Sequence, residues 1–134
     1  MGDVPANAAV PAEPYAWKSV VIGANGFING IVFGRAAGTP CYINTDMGGA
    51  YRLDGDTWTP LTDWVKHDDW SLSQNGVETL AVDPTDPNKL YFGFGTYLGP
   101  SAVLRSTDQG RTFQRTNVDF PMDGNGSAAT PASA

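Results

Sequence analysis

Apolar positions in this chain fall in short β-branched and aromatic runs, divided by glycine, proline and aspartate. That spacing predicts short strands and tight turns rather than helices. Alternation over Tyr15-Ala16-Trp17-Lys18-Ser19-Val20-Val21-Ile22-Gly23 predicts a first strand. After a glycine-punctuated loop come Gly30-Ile31-Val32-Phe33, a turn through Gly34 to Gly38, and Cys41-Tyr42-Ile43. Ala50-Tyr51-Arg52-Leu53 follows, then a Gly55 hairpin into Trp58-Thr59-Pro60-Leu61. The pattern restarts at Val77 to Val82 and passes a proline-fixed turn at Thr85-Asp86-Pro87-Asn88. It continues through Lys89 to Gly95, Ala102 to Arg105 and Thr112 to Arg115.

Two polar turns in this pattern share one grammar, Asn44-Thr45-Asp46-Met47-Gly48-Gly49-Ala50-Tyr51-Arg52 and Ser106-Thr107-Asp108-Gln109-Gly110-Arg111-Thr112-Phe113. Laid over each other, Asp46 matches Asp108, Gly48 matches Gly110, and Tyr51 matches Phe113. Ile31 meets Leu80 at a spacing of 49, whereas the aspartates meet at 62. The second unit is therefore expected to carry an insertion of 13 residues near Gly95 to Ser101. Four short antiparallel strands repeated at this scale are propeller blades, so the fold class is all-β, an Asp-box β-propeller. Blade units fall at about 15–65 and 76–120, within a partial propeller over 15–121. Two blades do not close a ring, so the propeller is expected to be incomplete, as a fragment or as one part of an association. The Ala/Pro-rich residues 1–14 read as a flexible leader, and 122–134 as a disordered tail following a stop or cut.

The second turn is an Asp-box, S-x-D-x-G-x-T-[WF], carried by Ser106, Asp108, Gly110, Thr112 and Phe113. Its expected role is structural: the carboxylate accepts backbone N–H groups across the turn, glycine supplies φ > 0, and the aromatic packs between sheets. Asp46 admits two readings from spacing. It is a degenerate Asp-box residue, with Asn44 for Ser and Ala50 for Thr, or a carboxylate held on a rigid turn and aimed into a cleft.

Composition narrows the partner. The 134 residues carry a net charge of -6, and no Lys/Arg cluster is present, which argues against nucleic acid and suits a neutral carbohydrate. No apolar run approaches a membrane span. Cys41 is the only cysteine, so no intrachain disulfide forms, and it reads as a buried inert thiol. The single histidine, His67, sits among Lys66, Asp68 and Asp69 and reads as a solvated loop residue. No metal or cofactor is implied, and no signal peptide is visible.

Five blocks bear a resemblance in their order: Tyr-x-Trp-Lys-x-Val-Val from Tyr15, Thr45 to Arg52, Trp58 to Val65, Asp68-Asp69-Trp70, and Leu104 to Gly110. They resemble the N-terminal part of the xyloglucanases of glycoside hydrolase family 74, over about Tyr15 to Asn125. The Asp-box alone would also suit sialidases or sortilin-like receptors; T-D-[IM]-G-G-x-Y-R together with P-L-x-D-W-V is far more discriminating. The resemblance implies two seven-bladed propellers flanking a cleft, and inverting cleavage of the β-1,4-glucan backbone of xyloglucan. It implies that Asp46, in the T-D-x-G-G motif, is the catalytic base. The general acid would lie in the second propeller, beyond residue 134, across the roughly 6.5–9.5 Å gap that inversion needs. Asp63, Asp68 and Asp69 read as a solvated acidic loop and receive no acid role.

Trp64, Trp70 and Tyr97 are the candidate sugar platforms, with Trp58 behind them, because flat aromatic faces suit the C–H faces of glucose. Core packing is expected of Trp17, Tyr51, Trp58 and Phe113. The resemblance further implies a secreted or periplasmic protein, and little activity from this chain by itself. The competing reading is a non-catalytic Asp-box module that binds carbohydrate or protein.

Overall fold

The structure, a computed structural model, describes residues 12–23, 26–65, 76–95 and 99–122. Eight strands run β1 (Ile28–Phe33), β2 (Cys41–Thr45), β3 (Ala50–Asp54), β4 (Thr57–Pro60), β5 (Val77–Val82), β6 (Leu90–Phe94), β7 (Gly99–Ser106) and β8 (Gln114–Met122). Each set of four is an antiparallel sheet with neighbours in chain order. These are two propeller blades, as the strand pattern predicts.

Apolar cross-strand pairs set the register. Ile31 lies opposite Ile43 in blade 1, and Leu80 opposite Phe92 in blade 2. Both first strands carry a bulge at the same place, between Ile28 and Gly30 and between Val77 and Thr79. β1 to β5 and β2 to β6 are each 49 residues apart.

The blades pack face to face. Tyr42, Ala50, Leu61 and Val65 from blade 1 and its exit share one core with Val77, Leu80, Leu90, Phe92 and Phe94 of blade 2. Arg52 ties the two together. Only 7% exposed, it donates from Nη1 to the Gln109 carbonyl at 2.7 Å, while Nε and Nη2 each lie 2.7 Å from the Asp54 carboxylate. A buried guanidinium is tolerated only when its donors are satisfied in this way. The Arg52 hydrogen bond in turn holds the Asp54 carboxyl below its ordinary pKa.

Three expectations change. Tyr15 to Gly23 forms no strand, and Trp17, expected in the core, is 96% exposed. Alternation marks a segment suited to a sheet, but a strand forms only where it pairs, and Tyr15 to Gly23 joins neither of the two four-stranded ladders. Second, Asp46 and Asp108 are not equivalent positions. Asp46 sits between β2 and β3, whereas Asp108 sits between β7 and β8, the counterpart of the β3–β4 turn. Successive turns of a meander lie at opposite ends of its sheet, so the 62-residue spacing does not measure an insertion. The second blade is longer near Gly95 to Ser101, but by less than 13 residues. Five residues separate the paired Asn44 and Ala50, and nine separate their counterparts Gly93 and Val103. Third, β8 starts at Gln114 and reaches Met122, so Thr112 and Phe113 belong to the turn, and Met122, expected to open the tail, ends a strand.

Candidate active site

Asp46 opens the β2–β3 turn. That turn closes without its carboxylate. Thr45 donates its N–H to the Gly49 carbonyl at 2.9 Å, and its Oγ1 donates to the same oxygen at 2.9 Å while accepting the Gly48 N–H at 2.8 Å. Gly49 supplies the left-handed backbone with φ 83°. Tyr51 folds back and donates its hydroxyl to the Gly48 carbonyl at 2.7 Å. Burial, and then the nearby Asp63 carboxylate, raise the Tyr51 pKa, so it stays protonated and keeps donating.

The Asp46 side chain instead reaches across to the loop ahead of β1. Its Oδ1 accepts the Phe27 N–H at 2.7 Å, and its own N–H donates to the Phe27 carbonyl at 3.1 Å. Among the described residues Oδ2 has no hydrogen-bond partner. Gly26 makes this seat possible. It holds φ 103°, and a Cβ there would lie 2.5 Å from Asp46 Oδ1. The carboxylate, half-buried, is therefore held by one oxygen through a backbone clamp.

Asp108 presents the opposite arrangement. Oδ1 accepts the Thr112 N–H at 2.8 Å and the Ser106 hydroxyl at 2.8 Å, and Oδ2 accepts the Thr112 hydroxyl at 2.6 Å. Ser106 Oγ also accepts the Gly110 N–H at 2.8 Å, and Gly110 holds φ 82°. Both carboxylate oxygens are spent on the turn. Phe113 packs on Phe92 with ring centroids 4.8 Å apart. Ser106, Asp108, Gly110 and Thr112 thus hydrogen-bond within the turn, and the Phe113 ring packs against β6.

Of the candidate sugar platforms, only Trp64 falls within the described residues; Trp70 and Tyr97 lie outside them, as do His67, Asp68 and Asp69. Trp64 is 43% exposed, stacks on Phe113 at 6.1 Å and donates from Nε1 to the Leu61 carbonyl at 2.7 Å. Its ring is fixed against the second blade and partly open to solvent. Trp58 is half-buried and lines a cavity of about 290 Å³ with Lys18, Val20, Val21, Leu53 and Asp56. That cavity borders the β3–β4 turn, at the other end of the sheet from Asp46. Burial raises the pKa of Cys41, which suits an inert thiol. Sequence reading did not single out Gly26 or Phe27 as part of the site. Only the φ > 0 tolerance of a glycine just before a strand could have pointed there.

No protein-family model matches the chain. Individual proteins do. It is 47% identical over 125 residues to a xyloglucanase of a Paenibacillus species, covering 87% of this chain and 12% of that protein. A solved GH74 xyloglucanase from Xanthomonas campestris superposes with a TM-score of 0.66 at 47% identity, covering 84% of this chain and 16% of that one. By sequence and by fold, the chain matches one segment of the GH74 xyloglucanases. A probable oligoxyloglucan-reducing end-specific xyloglucanase of Neosartorya fischeri is 42% identical over 124 residues. The GH74 segment is small: the chain spans about an eighth to a sixth of these relatives' length.

Proposed function

We propose that this chain supplies the catalytic base of an inverting endo-β-1,4-glucanase acting on xyloglucan. Asp46 is that base. It draws a proton from a water molecule, which attacks the anomeric carbon from the face opposite the leaving group. A carboxyl group on another part of the complete enzyme protonates the departing oxygen. One observation carries the reading: the Asp46 turn is closed by Thr45, Gly49 and Tyr51, which leaves its carboxylate clamped by Phe27 through Oδ1 and without a hydrogen bond to Oδ2 among the described residues.

Trp64, fixed against Phe113, offers an aromatic face for a glucose unit. Trp70 and Tyr97 complete the proposed platform from sequence. An extracellular location belongs to the same reading, since the polymer cannot cross a membrane.

The test is a graft in which this chain replaces the corresponding segment of the Paenibacillus xyloglucanase. The graft should hydrolyse xyloglucan and release products of inverted anomeric configuration. Asp46→Asn in the graft should abolish turnover, and azide, a nucleophile that needs no base, should restore part of it. An Asp46→Asn graft as active as its parent leaves only a non-catalytic carbohydrate- or protein-binding module.

A further inference from the structure

In blade 1 the bulge of the first strand decides which residue faces Asp46. From Phe33 opposite Cys41 back to Gly30 opposite Asn44, β1 and β2 pair one residue for one. Carried on without a break, that register would set Ile28 opposite Asp46 and Phe27 opposite Met47. Ile28 instead pairs with Thr45, so Asn29 is the extra residue. The slip brings Phe27 level with Asp46, where its N–H meets Oδ1 at 2.7 Å and its carbonyl accepts the Asp46 N–H at 3.1 Å.

Blade 2 builds the same backbone. Glu78 is its extra residue, between Val77 and Thr79, and the Gly95 N–H donates to the Gly76 carbonyl at 2.9 Å. Gly76 and Gly95 stand 49 residues after Phe27 and Asp46. The bulge is therefore a feature of the blade, and blade 1 adds a carboxylate to it.

The side chains beside the two bulges differ. Blade 1 pairs Gly30 with Asn44, whereas blade 2 pairs Thr79 with Gly93. In each pair the glycine makes room for its partner: a Cβ on Gly30 would collide with Asn44 Oδ1, and one on Gly93 would lie 2.5 Å from Thr79 Cγ2. Asn44 is only 3% exposed, and its Nδ2 donates twice, to Asn29 Oδ1 at 2.9 Å and to the Val77 carbonyl at 2.9 Å. Both of its N–H groups are spent. Asn29 in turn reaches Glu78, its Nδ2 lying 3.4 Å from Oε2. One buried amide thus grips the extra residue of β1 and anchors it to the first strand of the neighbouring blade. A buried polar group satisfied in this way holds a single arrangement.

We propose, on the reading that Asp46 is the base, that Asn44 is its positioning residue: it fixes the β1 bulge and, through it, the Phe27 N–H that holds Oδ1. Asn44 acts through Asn29 and Phe27 and not on substrate. Blade 2 forms its bulge without such an amide, so losing Asn44 loosens the seat of the carboxylate and leaves the blade folded. A base displaced by a fraction of an ångström loses turnover, not affinity.

The test measures kcat and KM on xyloglucan in the grafted enzyme, together with its thermal midpoint and the hydrogen exchange of the peptide bearing the Phe27 amide. Gly30→Thr combined with Asn44→Gly copies the blade 2 pair into blade 1, which fills the space and removes the amide. Asn29→Ala removes the acceptor from an exposed position. Each should lower kcat about tenfold with KM and midpoint near the parent values, and should speed exchange at Phe27 about tenfold. Leu90→Ala, buried in the same junction at the other end of the sheet, should lower the midpoint and keep turnover. Parent turnover in the Gly30→Thr, Asn44→Gly graft, beside a dead Asp46→Asn graft, overturns the positioning role and leaves the base standing. So does lowered turnover with Phe27 as protected as in the parent, or an equal loss of kcat in Leu90→Ala. If Asp46→Asn itself keeps its turnover, the base assignment fails and the positioning role falls with it.

Discussion

Two turns in this protein, built from nearly the same residues, use their aspartates in opposite ways. At Asp108 the carboxylate takes three hydrogen bonds from Ser106 and Thr112, and the turn depends on it. At Asp46 the corresponding work is done by Thr45 and Tyr51, and the carboxylate leaves its own turn for the Phe27 N–H. A similar run of residues therefore does not fix the geometry of its acidic residue.

That contrast can be broken at several points, here in the grafted enzyme. Asp46→Asn should cost the most, about 10²–10⁴-fold in kcat, with little change in the unfolding midpoint. Gly26→Ala comes next. The added Cβ meets Oδ1 at 2.5 Å on a backbone with φ 103°, so the carboxylate must move. A displacement of that kind should lower kcat by up to about 10²-fold while KM stays near the parent value.

Arg52→Lys should leave activity alone but lower stability by about 2–3 kcal/mol in urea unfolding, because an ammonium cannot hold Asp54 and the Gln109 carbonyl together. Asp108→Asn should cost about 1–2 kcal/mol of stability at neutral pH. Partial burial works to raise the Asp108 pKa, but the Thr112 and Ser106 hydrogen bonds outweigh it and hold the carboxyl below its ordinary 3.8. A depressed folded-state pKa means the contribution is full above that ordinary value and is lost as pH falls through the folded pKa. The gap between parent and Asp108→Asn should therefore narrow in acid. Trp64→Ala should have the smallest effect, a rise in KM of about fivefold with kcat retained.

Much of this architecture is legible in the residues themselves. Most of the strands, the two-blade count and the Asp-box follow from short apolar runs and turn residues, because those signals are local. Tyr15 to Gly23 shows the limit: the alternation is present, but pairing depends on an edge that sequence does not display. The equation of Asp46 with Asp108 fails for a related reason. Both turns need a small polar residue, an aspartate and a glycine, so local grammar is the same at either end of a meander, and only strand order separates them. The Arg52 tie and the Gly26 seat span blades or loops distant in sequence, where no local pattern records them.

The central claim is best tested by measuring kcat on xyloglucan and the thermal midpoint together for Asp46→Asn and Asp108→Asn in the grafted enzyme. The account predicts a crossed result: Asp46→Asn loses turnover and keeps its midpoint, while Asp108→Asn loses several degrees and keeps turnover. If Asp46→Asn instead unfolds early and retains its turnover, its carboxylate is a scaffold group like that of Asp108, and the catalytic assignment is wrong.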